Sequence, residues 1–158
     1  MYENESQTIR RAVLAAVQRP HVDDGEFNES LAELRRLAKT LGFSLAGTCT
    51  QRRATFEPGT YLGSGKVEEL KALVGTGAAD TILVDHEITP SQARNLEKAT
   101  GAVVMDRTAV ILEIFHRHAR SRAARAQVEI VRLQYMAPRL REQGSGRDGE
   151  RHTTAPAL

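Results

Sequence analysis

Tryptophan is absent from this 158-residue chain, and only four Phe and three Tyr are present. Aromatic platforms for stacking nucleobases are therefore scarce. Cys49 is the only cysteine, which excludes an internal disulfide. No Cys/His cluster has ligand spacing, so no metal site and no cofactor are expected. His21, His86, His116, His118 and His152 are scattered along the chain. His116 and His118 stand two apart on a helix and point away from each other. No apolar run approaches membrane-spanning length, and the polar N-terminus does not read as a signal peptide, so a cytoplasmic protein is expected. An excess of one charge is missing too, with a formal net charge of +2.

What charge there is lies unevenly. From Arg107 to Arg141 run eight arginines against Glu113 and Glu129. Guanidinium forks suit phosphate contacts, and a solvated helix face explains the same pattern without a partner.

The hydrophobic pattern alternates between short runs and helical spacing. Ala12 to Val17 reads as a buried strand. Phe27, Leu31, Leu34, Leu37, Ala38 and Leu41 recur every three or four residues, which predicts a helix over 28–41, stopped by Gly42. Asp23 to Glu26 read as a loop. A strand over 43–51 follows. Gly63-Ser64-Gly65-Lys66 then turns into a helix through Val67, Leu70 and Val74, with Ser64 as the expected cap. Thr81–Val84 is the next strand. Thr89 caps a helix beginning at Pro90, and Ala102–Met105 is the last strand.

Strands separated by helices imply an α/β domain with a small, open, mostly parallel four-stranded sheet flanked by helices. The expected layout is a flexible 1–8, this domain over 9–106, a long C-terminal α-helical arm over 107–142 and a disordered tail over 143–158. His118 to Ser121 interrupts the arm, with Ser121 capping its second helix. Ala126, Ile130, Leu133, Ala137 and Leu140 follow coiled-coil spacing on that helix. Val128, Val131 and Tyr135 lie on roughly the opposite side. One stripe can cover the chain's own domain, and the other then needs a partner.

The glycine-rich turn is not a P-loop. That motif requires Gly, four residues, then Gly-Lys-Ser/Thr. Thr60 stands where the first Gly belongs, and Val67 replaces the magnesium-binding hydroxyl. A nucleotide reading still exists. In it Gly63, Ser64, Gly65 and Lys66 hold phosphates, and Asp85, Glu87 and Asp106 at strand ends hold magnesium. Acidic residues after strands are also routine caps. Asp85-His86-Glu87 is the only polar trio that suggests acid–base chemistry, and a surface loop explains it more simply.

Several blocks in order are similar to one family. They are Thr60-Tyr61-Leu62-Gly63-Ser64-Gly65-Lys66-Val67-Glu68-Glu69-Leu70, Leu83 to Glu97, Val104-Met105-Asp106-Arg107-Thr108 and Gln127 to Tyr135. Together they resemble the N-terminal domain of the HflX family of ribosome-associated bacterial GTPases, over about residues 9–141. In that family the helix from 122 is the first arm of a helical hairpin, followed by a return helix and a GTPase domain. Here the chain continues instead as Gln143 to Leu158, with no P-loop and no guanine-recognition motif. The resemblance therefore implies a stand-alone, non-catalytic module, and GTP hydrolysis is not carried over.

The resemblance further implies binding to the large ribosomal subunit and its rRNA, related to rescue or splitting of stalled ribosomes under stress. Arg117, Arg120, Arg122 and Arg125 would contact phosphates, with Arg52, Arg53 and Lys66 contributing. It also makes ATP or GTP binding by the α/β domain an alternative. A third reading is a protein-interaction module. The seam Ala126, Ile130, Leu133, Ala137 and Leu140 would pair with a second copy as a homodimer, or with a full-length HflX-like GTPase.

Overall fold

The computed structural model describes the backbone of residues 10–152 and the side chains of 10–139. Both the expected flexible 1–8 and the end of the tail, 153–158, lie outside the described residues. Four parallel strands form the sheet: β1 (Arg11–Gln18), β2 (Ser44–Arg52), β3 (Thr81–Val84) and β4 (Val103–Asp106), in the order β2-β1-β3-β4. β1 is central, and its apolar run Ala12–Val17 is buried on both faces.

The strand order dictates where the helices go. The step from β1 to β2 runs one way across the sheet, and the steps to β3 and β4 run the other way. With crossovers of one hand, the first helix must lie on the opposite face from the next two. The packing agrees. α1 (Asp24–Thr40) buries Phe27, Leu31, Leu34 and Ala38 against Ala12, Leu14, Ala16 and Leu83. α2 (Ser64–Thr76) and α3 (Pro90–Thr100) bury Val67, Leu70, Val74, Ala93 and Leu96 against Val13, Ala15, Val17, Ile82 and Val84. α4 (Arg107–His118) then returns beneath the α1 face, with Val110 fully buried there and Ile114 packed beside it. Each of these large aliphatic side chains contributes about 1.5–3 kcal/mol on burial.

Local chemistry sets the helix ends. Asp23 caps α1 by accepting from Glu26 N at 2.8 Å, so 24–26 are helical rather than part of the expected loop. Thr89 and Gln92 close a reciprocal capping box on α3, with Pro90 in its first turn. Gly101 ends that helix at φ 76°, in the left-handed region. On α2 the cap is Gly63, and Ser64 is the first helical residue instead of the expected cap.

α5 (Arg122–His152) forms the arm, with Ser121 Oγ accepting from Ala124 N at 3.0 Å at its start. The expected end near Glu142 is exceeded: backbone helix continues through 143–152, across glycines of low helix propensity. Pro138 lies inside α5 and removes one intrahelical hydrogen bond.

Candidate nucleic-acid interface

α4 descends from the C-terminal edge of the sheet, so its own C-terminus reaches the N-terminal edge. There the backbone extends at Ala119 (φ −71°, ψ 120°) and reverses into α5. This elbow gathers four arginines that the sequence singled out. Arg117 is anchored: Nε lies 3.4 Å from Glu113, and Nη1 donates to the Leu41 carbonyl at 3.1 Å. Arg125 donates from Nε to the Ala119 carbonyl at 3.1 Å, which braces the bend. Arg120 and Arg122 are exposed, and among the described residues neither meets a carboxylate within ion-pair distance. His116 lies 3.2 Å from Glu129 and ties α4 to α5. Phe115 projects beside this elbow and is 57% exposed.

The other basic residues stand elsewhere. Arg52 and Arg53 leave the C-terminal end of β2, whereas the elbow touches Leu41 before its start. The two groups are thus separated by the length of a strand, roughly 30 Å at about 3.3 Å per residue. Arg52 pairs with Asp24 at 3.2 Å while 79% exposed, and Arg53 pairs with Glu57 at 3.2 Å. Lys66 pairs with Glu69 at 2.9 Å, which raises its pKa. One continuous patch over all seven residues is not present.

The glycine turn is occupied by the protein's own groups. Gly63 N–H donates to Gln51 Oε1 at 2.8 Å, and Lys66 is held by Glu69. Gly63 has φ −64°, an ordinary angle, so its requirement is space rather than conformation. A Cβ there would stand 2.6 Å from Arg53 Nη1. The unusual backbone belongs to Tyr61, at φ 67°, which is fully buried. Its phenolic oxygen accepts from Val17 N at 2.8 Å and lies 2.5 Å from His86 Nδ1. With Val17 as donor, the phenolic hydrogen is left for His86 Nδ1 in the tautomer that carries its proton on Nε2. Burial holds the His86 pKa below its ordinary value and pushes that of Tyr61 up.

Asp85, His86 and Glu87 do not act as a trio. Asp85 turns to the α1 face, where it accepts from Ser30 Oγ at 2.7 Å and meets Arg107 Nη1 at 2.6 Å. His86 turns to the other face and packs against Phe56, with ring centroids 4.7 Å apart. Asp106 is likewise committed to protein donors. Oδ1 accepts from Ala109 N at 2.9 Å, capping α4, and Oδ2 accepts from Ile88 N at 3.1 Å. Tyr135 donates its hydroxyl to the same Oδ2, and Arg139 Nη2 stands 3.1 Å away. Arg139 also donates to the Ile88 carbonyl. Burial, then the Asp106 carboxylate, raise the Tyr135 pKa. Among the described residues, no three of His, Cys, Asp and Glu are arranged to hold a metal ion.

Tyr135 and Arg139 were not singled out as a pair by sequence reasoning. Their i, i+4 spacing places them on one helix face, which was the available signal. With Arg132 and Met136 they form the inward side of α5. The seam faces away: Ile130 is 56% and Leu133 53% exposed, Ala126 is exposed and Ala137 half-buried. Leu140 lies outside the described side chains.

Comparison with known proteins fits this architecture. Residues 28–116 match the family described as GTP-binding GTPase N-terminal. The GTPase HflX of Gluconacetobacter diazotrophicus is 47% identical over 174 residues, covering 87% of this chain and 39% of that protein. The GTPase HflX of Alkalihalophilus pseudofirmus is 42% identical over 144 residues, covering 91% of this chain and 34% of that protein. A GTP-binding protein from Sulfolobus solfataricus, solved in complex with GDP, superposes with a TM-score of 0.63. It is 22% identical, with 91% of this chain and 42% of that chain covered, a likeness of fold. The chain thus spans about two fifths or less of the relatives it matches. The family match and the sequence identity to these relatives over most of the chain make it a member of the HflX GTPase N-terminal domain family.

Proposed function

We propose that this chain is a non-catalytic module of the HflX type that binds the large ribosomal subunit through its elbow. The body, 9–106, presents the arm that begins at Arg107. The observation that carries the reading is the division of labour among four arginines. Arg117 and Arg125 brace the bend through carbonyl oxygens, and Arg120 and Arg122 stand exposed, without carboxylate partners among the described residues. Such guanidiniums engage phosphates of a folded RNA by shape rather than by sequence. Family membership supports a ribosomal partner and a cytoplasmic setting. Arg52, Arg53 and Lys66, at the other end of the sheet, form a second and weaker contact.

Co-sedimentation with isolated large subunits at low and moderate salt tests this. Binding at low salt that weakens steeply with added salt is expected. Arg120→Glu with Arg122→Glu should abolish it. No pelleting of the unaltered chain at either salt overturns the reading.

The exposed seam favours a second reading, in which Ala126, Ile130, Leu133 and Ala137 pair with a second copy or with a full-length relative. Light scattering at micromolar concentration separates self-pairing from a monomer. A nucleotide site at Gly63–Lys66 is less favoured, because Gln51 already accepts from the Gly63 N–H and Glu69 pairs with the Lys66 ammonium.

A further inference from the structure

A cleft of about 460 Å³ opens between the sheet edge and the arm. That volume falls within the range of small-molecule pockets, about 300–1,000 Å³. β4, α3, α4 and the inner side of α5 wall it. Val103, Met105, Leu112 and Met136 line it with carbon. Val103, one of the lining residues, is a strand residue yet 52% exposed. Apolar surface left open to water forgoes burial energy that a ligand can supply.

The mouth carries more positive than negative charge. Arg117 and Arg132 share the single carboxylate of Glu113, at 3.4 and 3.5 Å, and Arg132 also reaches Glu129. Arg94 and Glu97 add one charge of each sign. Among the described residues Arg10 meets no carboxylate: it donates to Thr81 Oγ1 at 3.1 Å and lies 5.0 Å from the Phe43 ring centroid.

The cleft is closed to an added strand. The Val104 amide points out of the sheet edge, where an incoming strand would need it, and donates to Glu97 Oε1 at 3.1 Å. At the far end Tyr135 and Arg139 cover Asp106. The space therefore suits a compact molecule rather than an extended peptide.

We propose that this cleft binds a small amphipathic anion, its ring-sized apolar body against Val103, Met105, Leu112 and Met136 and its anionic group at Arg10 and Arg117. The ligand would touch both β4 and α5, and so join body to arm.

Anilinonaphthalene sulfonate is a probe of this chemistry, and N-phenylnaphthylamine is its uncharged counterpart. Fluorescence and calorimetric titration of the full chain should show saturable binding of the sulfonate. The uncharged probe should bind about tenfold more weakly or worse, the scale of a charge-assisted hydrogen bond. Arg10→Gln should weaken the sulfonate by a similar factor. Ala109→Phe, which fills the cleft, should abolish binding, and Ile130→Glu with Leu133→Glu, on the opposite side of α5, should leave it unchanged. Equal affinity for the two probes, loss in the Ile130/Leu133 variant only, or no binding at all overturns the proposal. Arg10 is exposed and outside the core, so Arg10→Gln decides the matter even if Ala109→Phe fails to fold.

Discussion

The Arg139 guanidinium lies 3.1 Å from the Asp106 carboxylate and 3.9 Å from the Tyr135 ring centroid. This one contact joins a residue at the end of the last strand to the middle of the arm. Asp106 thereby does two jobs with one carboxylate, capping α4 and fastening α5.

Asp106→Ala should separate from Tyr135→Phe in urea unfolding. The first removes the α4 cap and takes the carboxylate from a largely buried guanidinium, at a cost of about 3 kcal/mol or more. The second removes one hydroxyl and keeps the cap, at about 1–3 kcal/mol. Equal losses would mean that the cap contributes nothing.

Gly63 and Gly101 should respond differently to alanine. Gly101 sits at φ 76°, where an L side chain costs roughly 1–2 kcal/mol. Gly63 has an ordinary φ, and its Cβ would meet the tip of the Arg53 side chain, which can swing away. Gly63→Ala should therefore cost less than Gly101→Ala in thermal unfolding, and should release the Arg53–Glu57 pair.

Acid should destabilise the fold through His86. Its ordinary pKa is 6.5, and burial lowers it in the folded chain. As pH falls below 6.5 the unfolded chain takes a proton that the folded chain refuses. Stability is therefore lost from that point down to the folded pKa. Urea midpoints at pH 7.5 and 5.5, about one unit either side, should differ more for the unaltered chain than for His86→Gln. Parallel pH profiles for the two would remove His86 from the account.

Ile130→Glu with Leu133→Glu should change monomer stability by no more than about 0.5 kcal/mol, since both side chains face solvent. If copies pair through this ridge, the same variant should be monomeric by light scattering where the unaltered chain is dimeric.

The fold was readable because its signals were local. Ala12–Val17 is a continuous apolar run, Phe27 to Leu41 keeps helical spacing, and Thr89-Pro90 carries its own cap. Each needs only a few neighbouring residues to be recognised. The start of α1 was misjudged because Asp23 is both a loop former and a cap, and spacing alone does not choose. At the elbow, Arg117 to Arg125 were visible as charge, but their division into braces and free donors depends on carbonyls at Leu41 and Ala119. The Asp106 latch was hidden for the same reason. Asp106 and Tyr135 lie 29 positions apart, and in the sequence Asp106 reads as a cap or a magnesium ligand, not as a fastening for the arm. Glycines mark the turn before α2 in the sequence, yet Gly63 has an ordinary angle and the left-handed one lies two residues earlier, at Tyr61.

Tyr61 holds that angle while its hydroxyl grips the Val17 amide and the His86 ring. The turn before α2 cannot relax without pulling the phenol out from between two strand exits. Its slackening and the loosening of the central strand's end are then one event. Deuterium uptake at Val17 would be a clock for that motion, and would run ahead of its neighbours in β1 only when the tyrosine lets go.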